Sequence, residues 1–232
     1  MDRRLPRVLS AGAFIALSGG ILAWAPDTGS LYQLIREAGP IESVSAALWL
    51  AAAAVSLAAA VWGRAHRVDW ALGAVILVLC AIRELDVQKW FTQWNLNNME
   101  SYWDRGIPLR ERLAALLLLI LPGAAIVAAF LIRMLGRFPA AWREGAAWTR
   151  DVLAWGAMLV LAAVFDKAHH FTPRLGIDSS YHYLFVLLEE TLELTLAVYV
   201  SLALVPAWRA AFSGLGRRGC GALRSPVSDD SQ

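Results

Sequence analysis

The stretch FVLLEETLELTLAVYV places Glu189, Glu190 and Glu193 inside a run otherwise apolar enough to span a membrane. A carboxylate at bilayer depth costs of order ~2.5–3.5 kcal/mol on insertion scales, so such groups face protein or water rather than lipid. At about 100° per residue the three acids share one side of a helix, with His182 and Tyr183 above them. A second spacing, Asp166-x-x-His169, points a carboxylate and an imidazole the same way, with Lys167 and His170 beside them. Carboxylates and histidines on facing helices build metal sites in bundles. An oxygen-rich set with one or two imidazoles suits zinc, manganese or iron(II). The expected ligands of such a divalent metal are Asp166, His169, Glu189 and Glu193. Glu84 or Glu190 is then the expected general base toward a water that the metal activates. The likeness is to a chemical principle and not to a family.

Other ionisable groups have local explanations. Glu42 follows Pro40 in the first turn of a helix, where a carboxylate complements the helix dipole. Arg83 is expected to pair with Asp86, Asp166 or Glu84. Lys167 can snorkel outward, and His170 sits near the interface. His66 falls in a loop on the opposite side and is set aside.

These residues need elements to hold them, and the composition says which kind. Of 232 residues, 58% are hydrophobic and 17% charged, the balance of a membrane protein. The expected fold is all-α, a polytopic six-transmembrane-helix bundle with spans near 8–24, 41–62, 70–90, 113–132, 152–168 and 183–205. A basic and polar tail, 207–232, is expected to be disordered. The first span is expected to be retained, although Ala23-Trp24-Ala25 has the form of a signal-peptide cleavage site. Leu121-Pro122-Gly123 predicts a kink in the fourth span. The arginines are scattered over loops, with no finger or phosphate-loop motif, which argues against a nucleic-acid partner. Cys80 and Cys220 imply no disulfide framework.

Six spans put both termini on one side. Thirteen of the twenty-one Lys and Arg residues fall on that side, six on the other and two within spans. The positive-inside rule then makes both termini cytoplasmic. Compactness and a plain basic N-terminus suggest the inner membrane of a bacterium. At ~1.5 Å rise per residue, Arg83 and Glu84 lie ~20 Å above the inner boundary, Asp166 ~21 Å, Glu190 ~23 Å, Glu193 ~18 Å and His169 ~26 Å. Seven acids (Glu42, Glu84, Asp86, Asp166, Glu189, Glu190, Glu193) meet two bases, Arg83 and Lys167, a surplus of five that needs protons, cations or water.

The expectation is therefore a carboxylate and histidine site in the periplasmic half of the bilayer. It belongs either to a metal-dependent enzyme acting on a lipid or amphiphile, or to a proton- or cation-coupled transporter. A scaffold with a buried polar network is the third reading. Below Glu193 the sixth span offers only Thr195, Tyr199 and Ser201, and the fourth offers no polar side chain, so the sequence favours a one-sided site over a through-path.

Overall fold

A computed structural model describes residues 39–63, 66–87, 92, 94, 99–104, 106–171 and 180–219, with residues 12, 14, 16, 19 and 20. The side chains of 99, 100, 147, 166, 168–171, 180–183 and 206–219 are outside that description. The described elements are helices, with no strand among the described residues. They are α1 (Pro40–Trp62), α2 (Arg67–Glu84), α3 (Leu109–Arg143), α4 (Ala147–Phe171) and α5 (Ser180–Gly219). Most of the expected first span lies outside the described residues.

α1 starts where Gly39-Pro40 predicts, with the proline in the first turn, where its missing N–H costs nothing. Its buried face is small: Ser45, Ala46, Ala52, Ala53, Ser56 and Ala59, with Trp49 among them. Small residues let helix backbones approach closely, which is the main source of attraction between helices in lipid. α1 accordingly packs along both α2 and α5, with α3 outside α2 and α4 outside α5. The core they share is Trp49, Ala52 and Ala53 of α1, Leu77 and Ala81 of α2, and Leu196 and Ala197 of α5.

Three helices, α1, α3 and the Trp148–Phe165 part of α4, are long and apolar enough to cross a membrane. The chain is thus an integral membrane protein by its helices. α2 and α5 carry the charged groups that interrupt their apolar runs: Arg67, Asp69, Arg83 and Glu84 in one, Glu189, Glu190 and Glu193 in the other.

Several boundaries differ from those the sequence suggests. α2 ends at Glu84 rather than near Trp90, because Asp86 turns the chain with φ 47°, and aspartate is one of the few side chains that accept the left-handed region. α3 begins at Leu109 and continues to Arg143, so Arg133–Arg143 is helix where a loop was expected. Arginine is a good helix former, and charge alone does not end a helix. α4 runs beyond its expected ends on both sides, and α5 continues past Val205 to Gly219. The kink expected at Pro122 takes the form of a π-turn over Leu116–Ile120, where the Leu121 N–H donates to the Leu116 carbonyl. Widening the turn just ahead of Pro122 accommodates a residue with no N–H and a ring that crowds the preceding turn.

The inner end of α2 is tied to α3 by a clamp. Asp69 accepts a hydrogen bond from Arg133 Nε at 2.5 Å and another from Arg137 Nη1. His66 Nδ1 lies 3.3 Å from the same carboxylate and 3.1 Å from Arg137 Nη1. Burial alone would push the Asp69 carboxyl up, but the hydrogen bonds and charges of the two arginines outweigh it and hold it below its ordinary 3.8. A depressed carboxyl contributes stability that is complete above the unfolded value and is lost as pH falls through the folded one. Asp69→Asn is therefore expected to cost about 1–2 kcal/mol at pH 7, with the gap to wild type closing below about pH 3.8. Thermal unfolding in nanodiscs at the two pH values checks this, and a gap independent of pH would contradict it.

Candidate functional site

The site grows from the outer ends of α1, α2 and α5. Arg83 Nη2 donates to Glu193 Oε1 at 2.5 Å, joining α2 to α5. Glu193 is not among the expected partners of Arg83 (Asp86, Asp166 or Glu84), of which Glu84 also lies within its electrostatic reach. Arg83 and Glu84 are consecutive, hence ~100° apart, so when Glu84 turns inward the longer arginine reaches across to α5. Glu84 is only 7% exposed and makes no hydrogen bond among the described residues. It is nevertheless within electrostatic reach of Glu193, Arg83, Glu42 and Asp86. Glu190 is within reach of Glu193, Glu42, Glu189 and Glu84, and Glu189 is within reach of Arg83.

Glu42 therefore does more than cap its own helix: it joins carboxylates from two other helices. Two neighbours escape a sequence reading. Cys80 lies within electrostatic reach of Arg83, Glu84 and Glu193. Its position four residues before Glu84, on the same face of α2, was the available signal. Ser45, three residues after Glu42, is 1% exposed, and its hydroxyl has no partner among the described residues. Counting back from the α1–α2 turn places Ser45 level with Glu84, so a buried hydroxyl without a described partner stands at the depth of the acids.

Beneath the acids the bundle is closed. Leu77 and Ala81 meet Leu196 and Ala197 about one turn below Glu84 and Glu193. Thr191, level with the acids, donates to the Leu187 carbonyl at 2.6 Å, and Thr195 below Glu193 donates to the Thr191 carbonyl at 2.7 Å. The buried indole N–H groups of Trp49 and Trp155, in and beside this core, have no partner among the described residues. Tyr199 donates to Asp151 of α4 at 2.8 Å.

Two contacts fix how α4 lies along α5. The Tyr199–Asp151 bond sets the inner end, and the Phe165 and Phe185 rings, 6.3 Å apart, set the outer end. The helices are antiparallel, and both pairs imply the same register, with Asp166 level with Leu184 and His169 level with Tyr181. At ~1.5 Å per residue, the backbones of Asp166 and Glu189 are offset by ~7.5 Å along the axis, and those of His169 and Glu193 by ~18 Å. The backbone of Asp166 is much nearer the level of Glu189 than that of His169 is to the level of Glu193. The expected common shelf is thus two tiers, and α4 belongs to the outer one. The cause is that α4 and α5 extend beyond their expected ends, which shifts their register. The side chains of Asp166, His169 and His170 are outside the described residues. Lys167 is exposed on α4 and has an interaction partner. Among the described residues, no three His, Cys, Asp or Glu side chains converge closely enough to hold a metal ion.

Above the site, Thr92 donates to the Trp94 carbonyl at 2.8 Å, and the Trp94 ring meets Tyr102 edge-on at 5.2 Å. Arg112 of α3 donates to the Tyr102 carbonyl at 2.8 Å, and Trp103 is 79% exposed. An aromatic loop pinned to the head of α3, with a free tryptophan, has the makeup of an interfacial anchor.

Fold and site together define an all-helical integral membrane protein with acids gathered at one end of its bundle. No family model matches the chain, and no similar curated protein or solved structure is found.

Proposed function

We propose that the chain is a six-span protein of the bacterial inner membrane, both termini cytoplasmic, with a divalent-cation site opening to the periplasmic side. The site serves metal-assisted chemistry on a lipid or other amphiphile from the outer leaflet. One observation carries this: Glu84, Glu189 and Glu193 lie within electrostatic reach of Arg83, and Glu42 and Glu190 within reach of those acids, so that carboxylates of three helices gather above an apolar core. Acids outnumber bases in this stretch of the sequence, and gathered negative charge at bilayer depth favours a bound cation. Glu193, Glu189 and Glu84 are the proposed ligands, drawn together by the ion itself since these described side chains do not converge without it, with Asp166 of α4 at a neighbouring level. Glu190 is the proposed general base. Without His169 the set is all oxygen, which moves the preference from zinc toward manganese.

A second reading has its own observation. No three described acids share metal-binding geometry, which suits carboxyls that hold the surplus as protons in a proton-coupled carrier. One experiment separates the two. The protein is stripped with chelator and titrated with Mn²⁺, Zn²⁺ or Fe²⁺ while thermal unfolding is followed. A bound ion at 100 times its Kd stabilises by about 2.7 kcal/mol. The metal reading expects a rise in Tm. No rise with any ion, together with pH-dependent proton uptake in proteoliposomes, moves the conclusion to the carrier, and neither effect leaves a structural network.

The orientation has a separate test. In a background lacking Cys80 and Cys220, single cysteines at Asn97 and Asp178 should react with an impermeant reagent added to intact spheroplasts. Protection of both would reverse the topology.

A further inference from the structure

The opposite end of the molecule carries a second site, unrelated to the acids. α3 is far longer than the bilayer requires: its apolar run from Leu113 to Ile132 already spans ~30 Å. At ~1.5 Å per residue, Phe138 lies ~9 Å and Trp142 ~15 Å beyond that run, but Leu153 beside them falls inside the apolar Trp148–Phe165 stretch of α4, which sets this region at the membrane interface. There α3 and α4 part to form a cleft of about 290 Å³, lined by Phe138, Pro139, Trp142, Arg143 and Leu153. The Phe138 and Trp142 rings stack at 5.9 Å and 17°, and Trp148 meets Phe138 edge-on at 5.9 Å. The wall is therefore preformed by aromatic contacts.

The apolar wall continues toward the bilayer. Leu131, Leu135, Phe138 and Trp142 recur at helical spacing on one face of α3, and Leu135 is 65% exposed. A track of this kind, running from hydrocarbon to headgroup depth, fits an acyl chain. At its polar end stands Arg143, and Arg150, one turn before Leu153 on α4, is exposed nearby. Neither makes a hydrogen bond or ion pair with another described residue. Arg133 and Arg137 differ in being bound to Asp69. Basic pockets between membrane helices recognise anionic headgroups, and arginine suits phosphate in particular.

We infer that the α3–α4 cleft binds one anionic phospholipid, its chain along Leu135 and Phe138 and its phosphate on Arg143, with Arg150 beside it. The test is native mass spectrometry of the full chain, released from detergent after addition of phosphatidylglycerol or phosphatidylcholine. Wild type should retain phosphatidylglycerol in preference. Arg143→Gln and Arg150→Gln should each reduce that preference about five-fold. Arg110→Gln, at the far end of α3, should leave it unchanged. Phe138→Ala should weaken retention of both lipids. Equal retention of the two lipids by wild type, or an unchanged preference in the double arginine variant, overturns the inference. So does loss of bound phosphatidylglycerol to millimolar inorganic phosphate, because a lipid held by its chain would resist it.

Discussion

Arg83→Ala is expected to destabilise the bundle by about 2–4 kcal/mol, and Glu193→Gln by less than about 1 kcal/mol. The two residues form one ion pair, so a pair worth a fixed amount would lose the same from either side. Their surroundings break the symmetry. Removing Arg83 leaves Glu193, Glu84 and Glu189 without the cation they face, and an uncompensated buried charge is the costly outcome. The figure sits toward the lower part of the usual range because the Arg83 side chain is 55% exposed while that of Glu193 is 12% exposed. Removing the Glu193 charge reduces the surplus, and Arg83 keeps Glu84 and Glu189 within reach. Adding Glu193→Gln to Arg83→Ala should therefore restore part of the lost stability. Chemical or thermal unfolding in nanodiscs at neutral pH measures all three variants. Glu193→Gln as damaging as Arg83→Ala would show that the acids carry no surplus at this pH.

Glu193→Ala and Glu84→Ala should each weaken Mn²⁺ binding by at least about 10–100-fold, the loss typical when a supporting group of a metal site is removed. His169→Ala should stay within a factor of about three. This contrast follows from the register of α4 on α5, fixed by the Tyr199–Asp151 bond and the Phe165–Phe185 contact. Glu42→Ala should fall between, since Glu42 reaches Glu84 and Glu190 across the helix interface. Isothermal titration of the stripped proteins gives the affinities. A loss in His169→Ala equal to that in Glu193→Ala would return His169 to the ligand set and refute the two-tier arrangement.

What the sequence disclosed and what it concealed divide along the range of the interactions. α1 was legible because Gly39-Pro40 and a run of small residues are local signals, and Pro122 marked a distortion for the same reason. The burial of Glu84 was legible from the cost of placing a carboxylate in lipid. Register was not legible. Depths counted from each span's own end carry the error of that end, and α4 and α5 both overrun, so His169 and Glu193 looked ~8 Å apart along the axis where the helix register gives ~18 Å. Long-range pairs left no trace either. Asp69 meets Arg133 and Arg137 across a sequence gap of more than sixty residues, and His66 joins them from a loop that had been set aside. Arg133–Arg143 counted correctly as basic, but its charge hid a helix.

The most direct test is elemental analysis of the protein purified from membranes without a chelating tag, beside Glu84→Ala and Glu193→Ala prepared in parallel. The account predicts about one divalent ion per chain in wild type, manganese before zinc, and little or none in either variant. Metal-free wild type, or metal retained equally by all three proteins, would contradict it.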